Sequence, residues 1–188
     1  MKQTAYCLFK TSLGWCGITW RESPIPGIYA VTSFQLPEAT VEITKARIAQ
    51  ISCAPKPSAP PRQIRKIISR LHLHLNGKVQ DFQDVPVELD DADPFMLKVL
   101  EAARKIPAGS TVTYGDLARA VGTPAQTRAV GRALGRNPIP LIIPCHRVVA
   151  AKGKPGGFSA HGGRATKAKL LAIEGAVVNL CLEFDLKP

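Results

Sequence analysis

A thiol and an imidazole stand next to each other at Cys145 and His146, where the sequence most clearly offers chemistry. A free cysteine has a pKa of about 8.5, so a neighbouring base or cation must raise its thiolate fraction at neutral pH. His146 can act as the base, and Arg147 is a cation. Adjacent side chains point apart on a strand and do not face each other on a helix. We therefore expect any help from His146 to reach the thiol through a turn or a bridging water.

The same sequence pattern is also consistent with a cysteine that has no chemical role. A cysteine among apolar residues is most often an inert, buried hydrophobe. The approach to the pair contains Pro138, Pro140 and Pro144, which fix φ and remove backbone donors. A stiff, non-helical entry suits a positioned thiol, but the residues elsewhere in the chain must decide between the two interpretations.

The composition narrows the classes of protein. The 188 residues, 45% hydrophobic, are enough for one or two compact domains. A formal charge of +11 favours a polyanionic partner, nucleic acid before membrane, although a protein can be merely basic. No apolar run approaches the roughly 18 residues of a spanning helix, and no signal-peptide pattern follows Met1. We expect a protein of the cytoplasm or nucleoid (the nucleus in a eukaryote) that is not secreted and does not act at a membrane.

The five cysteines do not suggest a disulfide framework, because their number is odd and they are widely spaced. The imaginable zinc ligands are Cys7, Cys16, His72 and His74. However, the chain has no CxxC pair, and histidines two residues apart do not share a helix face. We therefore predict no metal site.

Residues 1–90 are predicted to form a supporting α+β unit without chemistry of its own. Short aromatic or β-branched runs and helical spacing predict four strands and two helices. The strands are Tyr6–Phe9, Gly14–Trp20, Gly27–Val31 and Val79–Leu89, and the helices are Ala39–Ser52 and Arg62–Asn76. The acidic stretch Glu88–Asp93 is interpreted as a solvated linker.

From Asp93 onward the pattern is helical. Asp93 and Pro94 form a typical helix start. The expected apolar face of this helix consists of Phe95, Val99, Ala102, Ala103 and Ile106. A short second helix is predicted between the cap Thr113 and the stop Gly122.

A third helix, Arg128–Leu134, completes a helix-turn-helix pattern, although two helices packed by chance would leave the same signal. Thr123 followed by Gln126 predicts a capping box at its start. Small residues in this helix permit close approach to a nucleic-acid backbone, and its arginines can neutralise phosphate. The small residues are Ala125, Ala129, Gly131, Ala133 and Gly135, and the arginines are Arg128, Arg132 and Arg136. We predict DNA binding by shape and charge, with little base readout.

Five motifs follow one another in an order that is highly specific. They are Tyr114-Gly-Asp-Leu-Ala, Arg128-Ala-Val-Gly-Arg-Ala, Asn137-Pro-Ile-Pro-Leu-Ile-Ile-Pro-Cys-His-Arg-Val-Val, Gly157-Phe-Ser and Gly162-Gly-Arg-Ala-Thr-Lys-Ala-Lys-Leu-Leu-Ala-Ile-Glu-Gly. With them the chain resembles the O6-alkylguanine-DNA alkyltransferases (methylated-DNA–protein-cysteine methyltransferases). The resemblance is dense from Asp93 to Ala176, whereas the N-terminal part agrees only in its strand-then-helix layout.

The resemblance implies an α+β fold. A small N-terminal α/β (ribonuclease-H-like) domain, residues 1–90, would precede a mainly helical, winged helix-turn-helix-type domain, residues 91–188. It implies irreversible transfer of an alkyl group from O6-alkylguanine in double-stranded DNA to Cys145, once per molecule, by a monomer that needs no cofactor. Whether O4-alkylthymine is also accepted stays open.

The resemblance also implies catalytic roles. A relay of Glu174, His146, water and Cys145 would form the thiolate, since a carboxylate behind an imidazole fixes its tautomer and stabilises its positive charge. Tyr114 would donate a proton or hydrogen bond to the leaving base, and Asn137 would brace the turn before the cysteine. Without the motif, Glu174 would be interpreted as a surface carboxylate.

The remaining matched residues would bind substrate and DNA. Arg128 would fill the place of the nucleotide that is turned out of the duplex. Thr127, Ala129, Arg132 and Arg136 would contact DNA, and Val148, Phe158, Ser159 and Lys167 would form the substrate site. On its own, Lys167 is better interpreted as a solvated charge.

The chain departs from the family pattern in two places. The loop Phe158–Gly163 is two residues longer, because it includes Ala160 and His161, which puts the shape of the alkyl pocket in doubt. His161 is expected to be an exposed loop histidine. The chain also continues into an apolar run, Val177–Leu182, which predicts a final strand.

Three other classes of protein compete with repair. A non-catalytic alkyltransferase-like protein would grip the lesion but lack the acceptor cysteine. An operator-binding regulator would have no use for the thiol, imidazole and carboxylate together. A thiol hydrolase would not need the basic helix.

Overall fold

The computed structural model describes residues 4–53 and 57–176. Its first elements are β1 (Ala5–Thr11), β2 (Gly14–Glu22), β3 (Tyr29–Gln35), α1 (Val41–Ser52) and α2 (Arg62–Leu75). They are followed by α3 (Pro94–Arg104), β4 (Val112–Thr113), α4 (Tyr114–Ala120), α5 (Thr127–Gly135), β5 (Val148–Val149) and α6 (Gly163–Ile173). Single 3-10 turns lie at Pro124–Gln126, Cys145–Arg147 and Ala151–Gly153. The α+β prediction is confirmed.

The first three strands form an antiparallel sheet in the order β1-β2-β3, as alternating runs joined by tight turns predict. α1 lies so close to β2 that a Cβ added at Gly17 would come within 2.8 Å of the Ile48 side chain. Apolar side chains of this sheet and of α2 join those of α3 and α5 in one cluster that includes Cys145. None of the helices in the described part of the chain has the length and apolar content needed to cross a bilayer.

The predicted strand Val79–Leu89 is wrong. The segment makes a single bridge, between Val31 and Val87, and is otherwise irregular. Pro86 interrupts the run of backbone donors that a strand would need. The Arg104 guanidinium donates instead to three carbonyl groups of this segment. Phe82 and Val85 are buried in the core although they lie in a loop, so the apolar residues of this segment imitate the loose alternation of a strand.

In the acidic stretch that follows, Asp90, Asp91 and Asp93 are exposed, as a solvated linker predicts, but the stretch also makes contacts with the rest of the fold. Arg21 on β2 forms ion pairs with Glu88 and Asp90. Asp93 accepts a hydrogen bond from the Met96 amide at 2.8 Å and caps α3, with Pro94 as the first helical residue, as predicted. The stretch therefore joins the sheet to the helical part through charge pairs.

The buried face of α3 differs slightly from the expected one. Val99, Ala103 and Ile106 are buried as predicted, but Phe95 and Ala102 are only partly so. Met96 and Leu100 are buried in addition.

Of the two helix caps predicted for the next elements, the one at Thr113 is present and the one at Thr123 is not. Thr113 caps α4 and forms a capping box with Asp116. The capping box predicted for Thr123 and Gln126 is absent, because Thr123 has φ −134° and ψ 57°, unlike the extended cap conformation of Thr113. The Gln126 amide donates to the Thr123 carbonyl at 2.9 Å, so a 3-10 turn precedes α5.

Two sequence predictions are not tested by these residues. The strand predicted over Val177–Leu182 lies outside the described residues. The division into domains at residues 90 and 91 stays a prediction.

We predict that Gly17→Ala lowers the free energy of unfolding by about 2 kcal/mol, because its methyl group would overpack the branched Ile48. Urea unfolding measures the change. Gly135→Ala is the matched control: it meets nothing within 4 Å at the end of α5, so stability should be unchanged or raised by up to about 1 kcal/mol. An unfolding midpoint of Gly17→Ala equal to that of the unsubstituted protein would contradict the packing of α1 on β2.

Candidate active site

The segment before the cysteine is held in a fixed turn by Asn137. The side-chain amide of Asn137 donates to the Ile143 carbonyl at 2.8 Å, and its oxygen accepts from the Ile139 amide at 3.0 Å. The Ile143 amide also donates to the Ile139 carbonyl at 2.9 Å. At the apex Leu141 has φ +71°, a left-handed conformation that costs a non-glycine residue roughly 1 kcal/mol. The Asn137 hydrogen bonds hold this strained turn.

The Cys145 thiol lies at the start of a 3-10 turn and is 6% exposed. Burial raises the pKa of Cys145, and hydrogen bonds from Asn137 together with the Lys167 charge offset only part of that rise. The resting group is therefore a protonated thiol, which must lose its proton to a nearby base before it can act as a nucleophile.

The Glu174 carboxylate, just after α6, gathers three donor side chains in a buried position. It accepts from His146 Nε2 at 3.0 Å and from Arg147 Nη2 at 2.7 Å and Nε at 2.9 Å. His74 Nε2 lies 3.0 Å from the same carboxylate. Burial alone would raise the pKa of Glu174, but these hydrogen bonds outweigh it and hold the pKa well below its usual range. Glu174 is not the surface carboxylate that its position in the sequence would suggest without the motif.

The buried His146 has its tautomer fixed by this carboxylate. An ionised carboxylate only accepts hydrogen bonds, so His146 carries a proton on Nε2 and a lone pair on Nδ1. Burial lowers the pKa of His146 and keeps the ring neutral near pH 7. Its Nδ1 is buried and has no hydrogen-bond partner among the described residues. The imidazole can therefore accept one proton on Nδ1 and share the resulting charge with Glu174.

Lys167 is fully buried, so its interpretation as a solvated charge is wrong. Its ammonium donates to the Val148 carbonyl at 2.6 Å and the Gly157 carbonyl at 3.3 Å, and it lies 3.5 Å from the Tyr114 hydroxyl. Burial lowers the pKa of Lys167 to about 8. The ammonium therefore links β5, the loop at Gly157 and α4.

Tyr114 stands at the first turn of α4 with its ring against two glycines. A Cβ at Gly156 would come within 3.0 Å of the ring, and one at Gly131 within 3.9 Å. The hydroxyl donates to the Gly157 carbonyl at 3.3 Å. Burial raises the pKa of Tyr114, so the hydroxyl keeps its proton and can donate it.

Two cavities meet at the cysteine. The larger, about 490 Å³, is lined by Tyr114, Gly131, Leu134, Gly135, Cys145, Ala150 and residues 156–159. The smaller, about 290 Å³, lies toward β3 and α1 and includes Glu38, Arg47, Asn137, Pro140, Cys145 and Ala160 in its lining. Phe158 and Ser159 line both. Cys145 therefore borders both cavities, although only 6% of its surface is exposed.

The longer loop of this chain contributes to the smaller cavity. Ala160, one of its two additional residues, lies in the wall. His161 is exposed, as predicted, and its Nδ1 is 3.8 Å from Glu38 Oε2. The loop therefore faces the acidic end of the segment between β3 and α1.

The basic residues of α5 lie on its surface. Thr127, Arg128 and Arg132 are exposed, whereas Ala129 is half-buried. Arg136, just after the helix, is exposed and lies 3.5 Å from Asp93. Arg128 and Arg132 are one helical turn apart and thus point to the same side.

Sequence reasoning missed His74, which reaches the site from α2. Its position offered a weak signal: His74 continues the buried stripe of Ile64, Ile67 and Leu71, and a histidine in an apolar stripe needs a buried partner. The other residues considered as metal ligands are Cys7, Cys16 and His72, and their surroundings do not favour a metal site. Burial raises the pKa of Cys7 to about 11 and that of Cys16 to about 12, and the His72 ring packs on Phe9. In the described ranges, no group of three or more His, Cys, Asp or Glu is arranged to hold a metal ion.

Comparison with known proteins gives consistent matches. The family profile described as "6-O-methylguanine DNA methyltransferase, DNA binding domain" matches residues 94–176. The methylated-DNA–protein-cysteine methyltransferase of Metallosphaera sedula is 45% identical over 114 residues, which are 61% of this chain and 69% of that protein. The enzyme of the same name from Methanopyrus kandleri is 41% identical over 127 residues, 65% of this chain and 92% of that protein.

Solved structures extend the likeness to the N-terminal part. The Mycobacterium tuberculosis O6-methylguanine methyltransferase superimposes with a TM-score of 0.69 at 31% identity, covering 92% of this chain and 93% of that one. The crystal structure of Mycobacterium tuberculosis OGT in complex with DNA gives a TM-score of 0.69 at 28% identity, with 91% and 92% covered. The agreement in sequence and in fold identifies this chain as a member of the methylated-DNA–protein-cysteine methyltransferase family.

Proposed function

We propose that this protein repairs double-stranded DNA by transferring the alkyl group of O6-alkylguanine to its own Cys145. Family membership supports the reaction class. The observation that carries the proposal is the fixed tautomer of His146. Because Nε2 donates to Glu174, the buried Nδ1 is free to act as a base. The residue before His146 in the chain is Cys145, whose thiol holds its proton at rest.

The first step is loss of the thiol proton. The proton passes through a bridging water to His146 Nδ1, and Glu174 stabilises the imidazolium that forms. The Asn137 amide and the Lys167 charge favour the thiolate over the thiol, because both lower the pKa of Cys145 against the effect of burial.

The second step is displacement at the alkyl carbon. The Sγ lone pair forms the sulfur–carbon bond as the carbon–O6 bond breaks, and the electrons of that bond stay with guanine. Tyr114, whose hydroxyl keeps its proton, supplies a proton or hydrogen bond to the leaving base, and Ser159 assists at O6. If Tyr114 gives up its proton, the proton held by His146 returns to Tyr114 through water; otherwise that proton passes to the guanine, so in both cases the products are a thioether and neutral guanine. A thioether has no route back, and each molecule reacts once without a cofactor.

The larger cavity is the proposed site for the guanine. A base inside a duplex cannot present its O6 substituent to a thiol, so the nucleotide must be turned out. Tyr114 and Phe158 would flank the ring, and the carbonyl groups of Cys145 and Val148 would accept from the guanine amino group. Lys167 occupies one side of the Val148 carbonyl and thereby fixes its direction.

The exposed face of α5 is the proposed DNA-binding surface. Arg128 would fill the space that the nucleotide leaves, and Arg132 and Arg136 would neutralise phosphates. Thr127 and Ala129 would lie against the DNA backbone, where small side chains permit close approach. We assign α4, α5 and the short β4–β5 pair to a winged helix-turn-helix-type domain, residues 91–188. Residues 1–90 would form a ribonuclease-H-like domain of the same monomer.

A non-catalytic lesion-binding relative is the second candidate function. Such a protein would need the cavity and the basic helix but not an acceptor thiol. Cys145 next to a tautomer-fixed base favours transfer over binding alone. The same arrangement disfavours an operator-binding regulator, and a hydrolase would have no use for the exposed arginines of α5.

Incubation with a duplex containing O6-methylguanine should add one methyl group to the Cys145 peptide and no more than one per molecule. Peptide mapping by mass spectrometry measures both. Cys145→Ser should bind the duplex with unchanged affinity and acquire no methyl group. Cys53→Ser is the control, because Cys53 is exposed and far along the chain from the site. Methylation of Cys53, or release of free methanol, would contradict the proposed acceptor.

Arg128→Ala should slow methyl transfer from duplex DNA by roughly tenfold or more. Without the arginine, at least about 1.4 kcal/mol of the cost of turning the nucleotide out of the duplex is no longer compensated. Transfer from the free base O6-methylguanine, which needs no extrusion, should be unaffected. Single-turnover rates on the two substrates measure the difference.

Arg132→Ala is the matched control, one turn along the same helix. It should weaken duplex binding and reduce the slope of log affinity against log salt by about 1, with little effect on transfer at saturating DNA. Equal loss of transfer from duplex and free base in Arg128→Ala would count against its proposed role.

A further inference from the structure

A histidine outside the region matched by the family profile makes direct contact with the proposed relay. His74, on α2, is fully buried, and its Nε2 lies 3.0 Å from Glu174 Oε1. That oxygen also accepts from His146 Nε2 at 3.0 Å and Arg147 Nη2 at 2.7 Å. Three donors therefore converge on one oxygen, whereas Oε2 accepts from Arg147 Nε at 2.9 Å.

The tautomer of His74 is set from its other side. The Gln80 backbone amide donates to His74 Nδ1 at 3.1 Å. A backbone N–H can only donate, so Nδ1 holds a lone pair and the ring proton lies on Nε2, which faces Glu174. The Phe82 ring packs edge-on against the imidazole, with centroids 5.4 Å apart. The N-terminal part of the chain thus presents one preorganised N–H donor to the carboxylate.

We propose that His74 is a positioning residue for alkyl transfer: it holds Glu174 in the orientation that keeps the His146 proton on Nε2 and the basic lone pair on Nδ1. This inference rests on the proposed function. His74 itself exchanges no proton in the reaction, because its single N–H is committed to the carboxylate and its Nδ1 to Gln80. The N-terminal part accordingly takes part in the chemistry through one hydrogen bond.

The contact also limits how strongly Glu174 stabilises a charge on His146. Each additional donor to a carboxylate disperses its negative charge, so less remains for the imidazolium. The charged or titratable groups of this cluster are Glu174, Arg147, His146 and His74. In the segment that supplies Phe82, Asp84 is paired with Arg70. Loss of the His74 donor should therefore make His146 easier to protonate.

Two substitutions of nearly equal length separate the hydrogen bond from the packing. His74→Met fills the space without a donor, whereas His74→Gln retains an N–H that can reach Glu174. His72→Met, on the same helix but packed on Phe9, is the control. Single-turnover methyl transfer from an O6-methylguanine duplex is measured from pH 5 to 9, together with duplex affinity and the unfolding midpoint.

His74→Met should transfer at least tenfold more slowly at pH 7. The acidic limb of its pH–rate profile should move to higher pH, because the rate is lost as His146 gains a proton and that proton is now held more tightly. His74→Gln should stay within about threefold of the unsubstituted protein, since a retained donor restores most of a hydrogen bond of roughly 1–2 kcal/mol. All three variants should bind the duplex equally. Equal losses in the Met and Gln variants, or an unshifted acidic limb, would overturn the proposal.

A measurement on the unsubstituted protein keeps the proposal testable if His74→Met does not fold. Nitrogen-15 spectra of the imidazoles should place the ring proton of both His74 and His146 on Nε2. A proton on Nδ1 of His74 would refute the inference whatever the variants do. If the unsubstituted protein transferred no alkyl group, the proposed function would fail, and the spectra would still decide whether His74 sets the state of Glu174 and His146.

Discussion

One buried carboxylate holds the site together. An ionised group taken out of water costs several kcal/mol unless other groups replace its solvation. Glu174, at the end of α6, obtains that replacement from the His74 imidazole on α2 and from the His146 imidazole and Arg147 guanidinium of the 3-10 turn at the cysteine. The Arg147 guanidinium supplies the positive charge that balances the carboxylate. The direction of the lone pair on His146 follows from this arrangement.

The N-terminal part is more than a support in this arrangement. The backbone amide of Phe34 and the hydroxyl of Ser33, both on β3, donate to the Pro138 carbonyl at 2.9 Å each. The turn that carries the thiol is therefore tied to the sheet at one end and, through Glu174 and His74, to α2 at the other. Geometry at the sulfur depends on contacts that are distant in sequence.

The sequence predicted those parts that local chemistry determines. The strands of the sheet, the helices α1 to α5 in outline and the cap at Asp93 follow from short-range patterns of apolar, branched and capping residues. The ordered motifs brought Cys145, His146 and Glu174 into one hypothesis. The segment Val79–Leu89 was beyond this reasoning, because apolar side chains that a loop contributes to the core can alternate in sequence like those of a strand.

Long-range polar contacts could not be predicted in the same way. His74 and Glu174 are 100 positions apart, and no spacing rule relates them. Lys167 was misjudged for a related reason: a lysine is almost never fully buried without partners, and its partners are carbonyl groups that every residue possesses. Thr123 showed that a cap signal in the sequence fails when the preceding turn rotates the residue out of the extended conformation.

The buried charge of Lys167 also lowers the stability of the folded state at neutral pH. Its ammonium is far easier to deprotonate in the folded chain than in the unfolded one, since burial lowers the pKa from 10.5 to about 8. Below pH 8 the fold must enclose a full positive charge that the unfolded chain leaves in water, and this disadvantage fades between pH 8 and 10.5. The ammonium that holds the Val148 and Gly157 carbonyl groups in place therefore costs the fold stability at neutral pH.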